Sequence, residues 1–176
     1  ILSVKDYSIP NFVNENTLVI ASSYSGNTEE TIYALEKCVD KNTEVCIITS
    51  GGKLKDIAVE NKYNHITIPG GHPPRAMFGY AFVQLFYALN HYNIISRGFV
   101  LDFKKSIKLL DKDKQFIRKK AKDLSESVYK NTPVIYTAKG FEGVAIRFRQ
   151  QLNENSKMLA WHNVIPEMNH NELLGW

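Results

Sequence analysis

Residues 22–31 read Ser22-Ser23-Tyr24-Ser25-Gly26-Asn27-Thr28-Glu29-Glu30-Thr31, a hydroxyl-rich string between a β-branched run and an amphipathic stretch. At a helix start the first N–H groups lack intrahelical partners, and the positive end of the helix dipole lies there too. Both attract anions. Ser and Thr hydroxyls add donors suited to phosphate oxygens, and Gly26 permits a tight turn. The competing reading is plain helix capping, with Thr28 or Asn27 as N-cap and Glu30 or Thr31 nearby. Capping needs one such residue, whereas the string supplies Ser22, Ser23, Ser25 and Thr28. The density favours phosphate. No Gly-Lys-Ser/Thr ends the string, and it lacks the Gly-x-Gly-x-x-Gly spacing of dinucleotide folds. The phosphate is therefore expected on a small metabolite rather than on ATP or NAD, and no cofactor is expected.

Arg75 follows Pro73-Pro74 where a helix is expected to begin. A cation there opposes the helix dipole by roughly 0.3–1 kcal/mol. An anionic ligand or developing oxyanion would offset that cost; a surface Arg capping a carbonyl is the alternative. A third group comprises Asn153-Glu154-Asn155-Ser156-Lys157 and Pro166-Glu167-Met168-Asn169-His170-Asn171-Glu172. Burying amides and carboxylates without partners is costly, so their density around one histidine is unusual. Glu154 could act as a general base and His170 could relay protons to oxygens, although each alone also reads as an exposed Glu and a structural His. His162, His170 and Glu172 are possible metal ligands, but none shows the i/i+4 histidine pair of a zinc protease. No metal is expected.

These groups need a scaffold. Thr17–Ala21 (TLVIA), Glu44–Thr49 (EVCIIT) and His65–Ile68 (HITI) read as buried strands, separated by helical patterns over Thr28–Val39 and Lys53–Asn61. Ile32, Leu35 and Val39 share one helical face. After Gly70-Gly71 and Pro73-Pro74 comes a long apolar helix within 76–95, then two more helical segments. Strict alternation of strand, loop and helix implies an α/β, three-layer αβα fold with a parallel sheet. Pro133–Ala138 (PVIYTA) starts a second series, and Gly140-Phe141 opens a helix with Phe141, Val144 or Ala145, Phe148 and Leu152 as its apolar positions. We expect a first domain over residues 1–131 and the beginning of a second over 132–176, cut off after about one βα unit.

Composition excludes other classes. The hydrophobic fraction is 44% and the charged fraction 23%, ordinary for a globular chain. Residues 76–95 carry no charge, but Gln84, Asn90, His91 and Asn93 interrupt them, so a core helix is expected rather than a membrane span. The net charge of +4 is local: nine of the 22 Lys/Arg lie between Lys104 and Lys122, in a pattern that places Ile117, Ala121, Leu124 and Val128 on one helical face. That pattern suits a solvated helix better than a nucleic-acid groove. Cys38 and Cys46 sit in apolar patterns as small core residues, which fits a cytoplasmic protein. No secretory signal opens the chain, which has no initiator Met and is expected to start inside a longer protein.

Taken together, the string at 23–31, Pro-Pro-Arg-Ala at 73–76, Asn-Glu-Asn-Ser-Lys at 153–157 and Pro-Glu-Met-Asn-His-Asn-Glu at 166–172 resemble the bifunctional phosphoglucose/phosphomannose isomerases. The first string alone resembles the phosphate loop of SIS (sugar isomerase) domains in general; the full set, in this order, resembles the bifunctional group. The resemblance implies two SIS domains and metal-independent interconversion of phosphorylated aldose and ketose. It further implies a homodimer whose active site draws on both subunits. Ser23, Ser25 and Thr28 would bind the phosphate, Arg75 would stabilise an enediolate, Glu154 would move the proton between C1 and C2, and His170 would open the sugar ring. Members also carry a strand and Gly-Ser loop ahead of the position of Ile1, and continue past that of Trp176 to a catalytic lysine. The chain is accordingly expected to be part of a longer enzyme. Two rivals stay open: a non-catalytic sugar-phosphate-sensing SIS module, which would not need Glu154 and His170, and the isomerase domain of an aminosugar synthase.

Overall fold

Val45, Cys46, Ile47 and Ile48 follow one another in Glu44–Thr49, and all four are buried. A strand apolar on both faces must sit in the middle of a sheet with cover on each side. In the computed structural model, which describes residues 1–176, that strand (β2) lies between β1 (Leu18–Ser22) and β3 (Asn64–Thr67), parallel to both. The register pairs Ile20 with Cys46 and Ile48 with Ile66.

Because side chains alternate across a strand, β2 feeds two cores. Val45 and Ile47 join Ala21 against Ile32 and Leu35 of α1 (Glu29–Val39) and Leu54 and Ala58 of α2 (Gly52–Glu60). Cys46 and Ile48 face the other way, onto Ile68 and onto Ala88, Ala81 and Leu85 of α3 (Phe78–His91). Helices therefore cover both faces, giving the expected αβα layering. Both cysteines are free and buried.

The chain forms two compact units, Ile1–Val100 and Leu101–Trp176. The stretch expected to hold two helical segments is a single helix, α4 (Phe99–Val128). It contains neither Gly nor Pro, so nothing in it breaks the helix. Ile117 and Leu124, expected on its apolar face, are 44% and 46% exposed. The apolar helix ahead of it runs from Phe78 to His91, shorter than the uncharged 76–95 stretch, and a 3-10 turn at Pro74–Ala76 precedes it.

In the second unit, β4 (Val134–Ala138) pairs in parallel with β5 (Trp161–Ile165), and α5 (Glu142–Asn155) makes the crossover between them. β5 is not legible in the sequence, because His162 and Asn163 interrupt its apolar pattern. Ala145, Ala160 and Met168 are the buried apolar residues here, and two 3-10 turns, Glu167–His170 and Glu172–Gly175, end the chain. No helix is long and apolar enough to cross a membrane.

Candidate active site

The hydroxyl-rich string is the connection from β1 to α1, at the carboxyl end of a parallel sheet, where open α/β folds bind their ligands. Ser23 is buried, and its N–H donates to Ile48 O at 3.2 Å, extending the strand pairing one residue past β1. Thr28 occupies the N-cap position of α1 with extended backbone (φ −67°, ψ 115°), yet its side chain makes no capping bond. The Thr28 hydroxyl instead lies 2.7 Å from that of Ser23. Ser23 Oγ also accepts from the Gly26 N–H at 3.2 Å, and Ser25 Oγ accepts from the Asn27 N–H at 3.2 Å. Plain capping therefore does not account for Thr28: its hydroxyl turns back into the loop.

A second loop holds the first in place. Ser50 donates from both its N–H (3.0 Å) and its hydroxyl (2.6 Å) to Tyr24 O, the Leu54 N–H donates to Gly26 O at 2.9 Å, and the Lys53 N–H donates to Asn27 Oδ1 at 3.0 Å. The two loops approach so closely that a Cβ on Gly26 would lie 1.7 Å from Gly51 O, and one on Gly52 would lie 2.3 Å from Ser25 O. Both glycines have positive φ, +69° and +68°, so both the conformation and the space require Gly. Gly26 is legible in the sequence as a turn residue, but its counterpart Gly52 is not, because its need arises only once the loops meet.

Tyr24 also ties this loop to the segment that carries Arg75: its hydroxyl accepts from the His72 N–H at 3.0 Å. Arg75 sits in the 3-10 turn Pro74–Ala76 and is exposed, with buried Met77 anchoring the turn behind it. Arg75 therefore precedes α3 by one short turn rather than standing in the helix.

The remaining candidates belong to the second unit. Glu154 is the penultimate residue of α5 and is exposed. The chain turns just after it: Asn153 Nδ2 donates to Met158 O at 2.9 Å, and Lys157 adopts φ +54°. His170, also exposed, ends the turn Glu167–His170, whose Met168 is buried. Beside it, Glu172 accepts hydrogen bonds from the Tyr136 hydroxyl and Asn163 Nδ2, and Trp176 Nε1 donates to the Tyr136 hydroxyl at 2.7 Å. These donors, Asn163 first, hold the Glu172 carboxyl below its usual range. Glu172 was legible in the sequence as one of a dense polar group and as a possible metal ligand, not as the acceptor of these two bonds; Tyr136 and Asn163 were not legible, because their joint role depends on the β4–β5 register. The structure thus brings Ser23, Ser25 and Thr28 into one loop, bonds that loop to the segment bearing Arg75, and puts Glu154 and His170 in the other unit. No three His, Cys, Asp or Glu side chains come together so as to hold a metal ion.

Residues 6–90 match the family described as "SIS domain", and residues 117–176 match "Bacterial phospho-glucose isomerase C-terminal SIS domain". A bifunctional phosphoglucose/phosphomannose isomerase of Caldicellulosiruptor bescii is 39% identical over 180 residues, covering 97% of this chain and 52% of that protein. A D-glucosamine-6-phosphate 4-epimerase of Sulfolobus acidocaldarius is 33% identical over 162 residues, covering 92% of this chain and 51% of that protein. Tagatose-6-phosphate ketose/aldose isomerase from Escherichia coli shares the fold, with a TM-score of 0.63 over 93% of this chain and 47% of that one, at 18% identity. The chain spans about half the length of the curated relatives it matches. A parallel sheet covered on both faces, with a Ser/Thr loop at its carboxyl end, places the chain among SIS-domain proteins. Within that class, residues 117–176 match the bacterial phospho-glucose isomerase C-terminal domain, and the chain is similar along its length to bifunctional phosphoglucose/phosphomannose isomerases.

Proposed function

We propose that the chain is part of an aldose–ketose isomerase that interconverts glucose 6-phosphate and mannose 6-phosphate with fructose 6-phosphate. The observation that carries this reading is the Ser23–Thr28 hydroxyl pair, which leaves the N-cap position of α1 without a side-chain cap. A phosphate at that helix start would take donors from Ser23, Ser25 and Thr28 and from the first free N–H groups. His170 opens the sugar ring. Glu154 then takes the C2 proton of the open-chain aldose and returns it at C1. Between these steps the electron pair rests on an enediolate, whose negative oxygen Arg75 stabilises. Reprotonation at C2 from either face makes both glucose and mannose phosphates substrates. The reaction needs no metal, and the enzyme works in the cytoplasm as a homodimer that shares its active site between subunits. The first domain comprises residues 1–131, and residues 132–176 open the second.

The test is turnover of glucose 6-phosphate, mannose 6-phosphate and glucosamine 6-phosphate by the whole protein, before and after exhaustive chelation. Isomerisation of the first two, unchanged by EDTA, is expected. Turnover of glucosamine 6-phosphate alone would assign the chain to the epimerase branch of its relatives. Loss of activity with EDTA, restored by zinc or manganese, would show a metal-dependent enzyme.

A further inference from the structure

His170 is exposed and lies near the end of the described chain, on a 3-10 turn of four residues, Glu167–His170. Such a turn is too short to hold a side chain in register by its own hydrogen bonds. What fastens it lies on either side. On one side Met168 is buried. On the other, two residues past His170, Glu172 is bound to both strands of the sheet: Tyr136 of β4 donates to one carboxylate oxygen and Asn163 of β5 to the other. Tyr136 and Asn163 are register partners, so their side chains leave the same face of the sheet side by side. Both donors have fixed orientations. Asn163 Oδ1 accepts from the Val164 N–H at 2.8 Å, which turns its amide nitrogen toward Glu172. The Tyr136 oxygen accepts from Trp176 Nε1 at 2.7 Å, which directs its own hydrogen at Glu172.

We propose that Glu172 is a positioning residue: clamped by Tyr136 and Asn163, it holds the 166–172 segment to the sheet and sets His170 where it meets the sugar ring. The inference rests on the proposed role of His170 in ring opening. Charge-assisted bonds from two rigid donors are the stronger kind, and a carboxylate is the only side chain that accepts from both at this spacing. Glutamine keeps part of the clamp. Its carbonyl accepts from Asn163, while its NH₂ meets a Tyr136 oxygen that already accepts from Trp176, so one of the two bonds is kept. Leucine keeps the approximate volume and loses both bonds.

The test uses the whole enzyme and four variants: His170→Ala, Glu172→Leu, Glu172→Gln and the double variant His170→Ala/Glu172→Leu. Misplacing a catalytic group by about 1 Å can cost on the order of 10²-fold, so Glu172→Leu should lower kcat by about 10- to 100-fold with KM little changed. Glu172→Gln should recover part of that loss. Because Glu172 acts through His170, adding Glu172→Leu to His170→Ala should lower kcat no further. Additive losses, or an unaltered kcat in Glu172→Leu, would overturn the inference and leave the role of His170 intact. A wild-type kcat in His170→Ala would instead overturn the ring-opening role, and the inference with it. Should Glu172→Leu fail to fold, Tyr136→Phe removes one donor and keeps the ring. Its loss of kcat should likewise vanish in a His170→Ala background, and its persistence there would refute the clamp.

Discussion

The two units repeat one strand–helix–strand pattern with different means of fixing their candidate residues. In the first, β2 has a parallel neighbour on each side and helices over both faces, so its residues Val45–Thr49 are all buried. The hydroxyl-rich loop inherits that rigidity through backbone bonds to the 49–54 loop and through the mutual approach of Gly26 and Gly52. In the second, two strands make the sheet, neither is buried throughout, and the apolar residues Phe141, Val144 and Trp161 are exposed. Two polar atoms there, Arg149 Nε and His162 Nδ1, are buried without a hydrogen-bond partner. Glu154 and His170 stand on this looser scaffold, and side-chain bonds such as those to Glu172 do the fixing. A core can immobilise a loop for binding, whereas an open sheet must use polar clamps to hold its reactive groups.

The largest expected effect separates chemistry from binding. Glu154→Gln in the whole enzyme should lower turnover of fructose 6-phosphate by about 10²- to 10⁴-fold, the usual contribution of a positioned general base. Affinity for the sugar phosphate, read by calorimetry, should stay within about twofold, because uniform binding does not depend on the base. Near-normal turnover would remove Glu154 from the mechanism and leave His170 as the one reactive group proposed for the second unit.

Next in size is a direct comparison of the two sheets. Ile47 is fully buried in β2, and Ile47→Ala should destabilise the first unit by about 2–5 kcal/mol. Ile165, at the end of β5, is 44% exposed, and Ile165→Ala should change stability by no more than about 1 kcal/mol. Hydrogen exchange of the 44–49 and 161–165 peptides would report each sheet separately. Equal losses of protection would mean that β5 is covered as fully as β2 in the whole protein.

The same contrast explains what the sequence revealed. β2 was legible as EVCIIT because a strand buried on both faces is a continuous β-branched and apolar run. β5 was not: Trp161-His162-Asn163-Val164-Ile165 mixes polar and apolar residues, and the polar ones engage partners far away in sequence, as Asn163 does with Glu172. Ser23, Ser25 and Thr28 were legible as a cluster because their density exceeded what a cap requires. Gly52 and Tyr136 were not, since their meaning lies in contacts with Ser25 and Glu172 that no local spacing encodes. Arg75 was expected at a helix start and lies instead in the turn before it, because Pro73 and Pro74 begin a 3-10 turn ahead of Phe78.

A smaller effect should come from the loop hydroxyls. Ser23→Ala, Ser25→Ala and Thr28→Ala should each weaken sugar-phosphate binding by about 0.5–1.5 kcal/mol, more where the phosphate makes the bond charge-assisted. Turnover at saturation should change less than affinity, the reverse of Glu154→Gln. If the unphosphorylated sugar bound as tightly as its phosphate, the loop would be no more than a structural connection.

The smallest effect concerns how the first unit is sealed. Tyr92, just past α3, donates its hydroxyl to Glu44 Oε1 at 2.8 Å and accepts from Asn64 Nδ2 at 2.9 Å, so it joins the α3 layer to β2 and β3. Burial, foremost, pushes its pKa from 10.0 up to about 12; donation to Glu44 acts in the same direction, and the bond from Asn64 opposes it. A raised pKa means that the folded chain keeps a proton which the unfolded chain gives up. The contribution is therefore intact below about pH 10 and is lost as pH rises toward about 12. Tyr92→Phe has no proton to lose. It should be slightly less stable than the parent at pH 9, by about 0.5–1.5 kcal/mol for the missing hydrogen bonds, and the gap should narrow as pH climbs to 11.5. Hydrogen exchange of the 44–49 peptide, corrected for the intrinsic pH dependence, would follow this in the first unit alone. A gap that stays constant across that window would show that Tyr92 ionises in the folded chain as readily as in the unfolded one. The seam between α3 and the sheet would then be open to water, and the first unit less closed than its buried strand suggests.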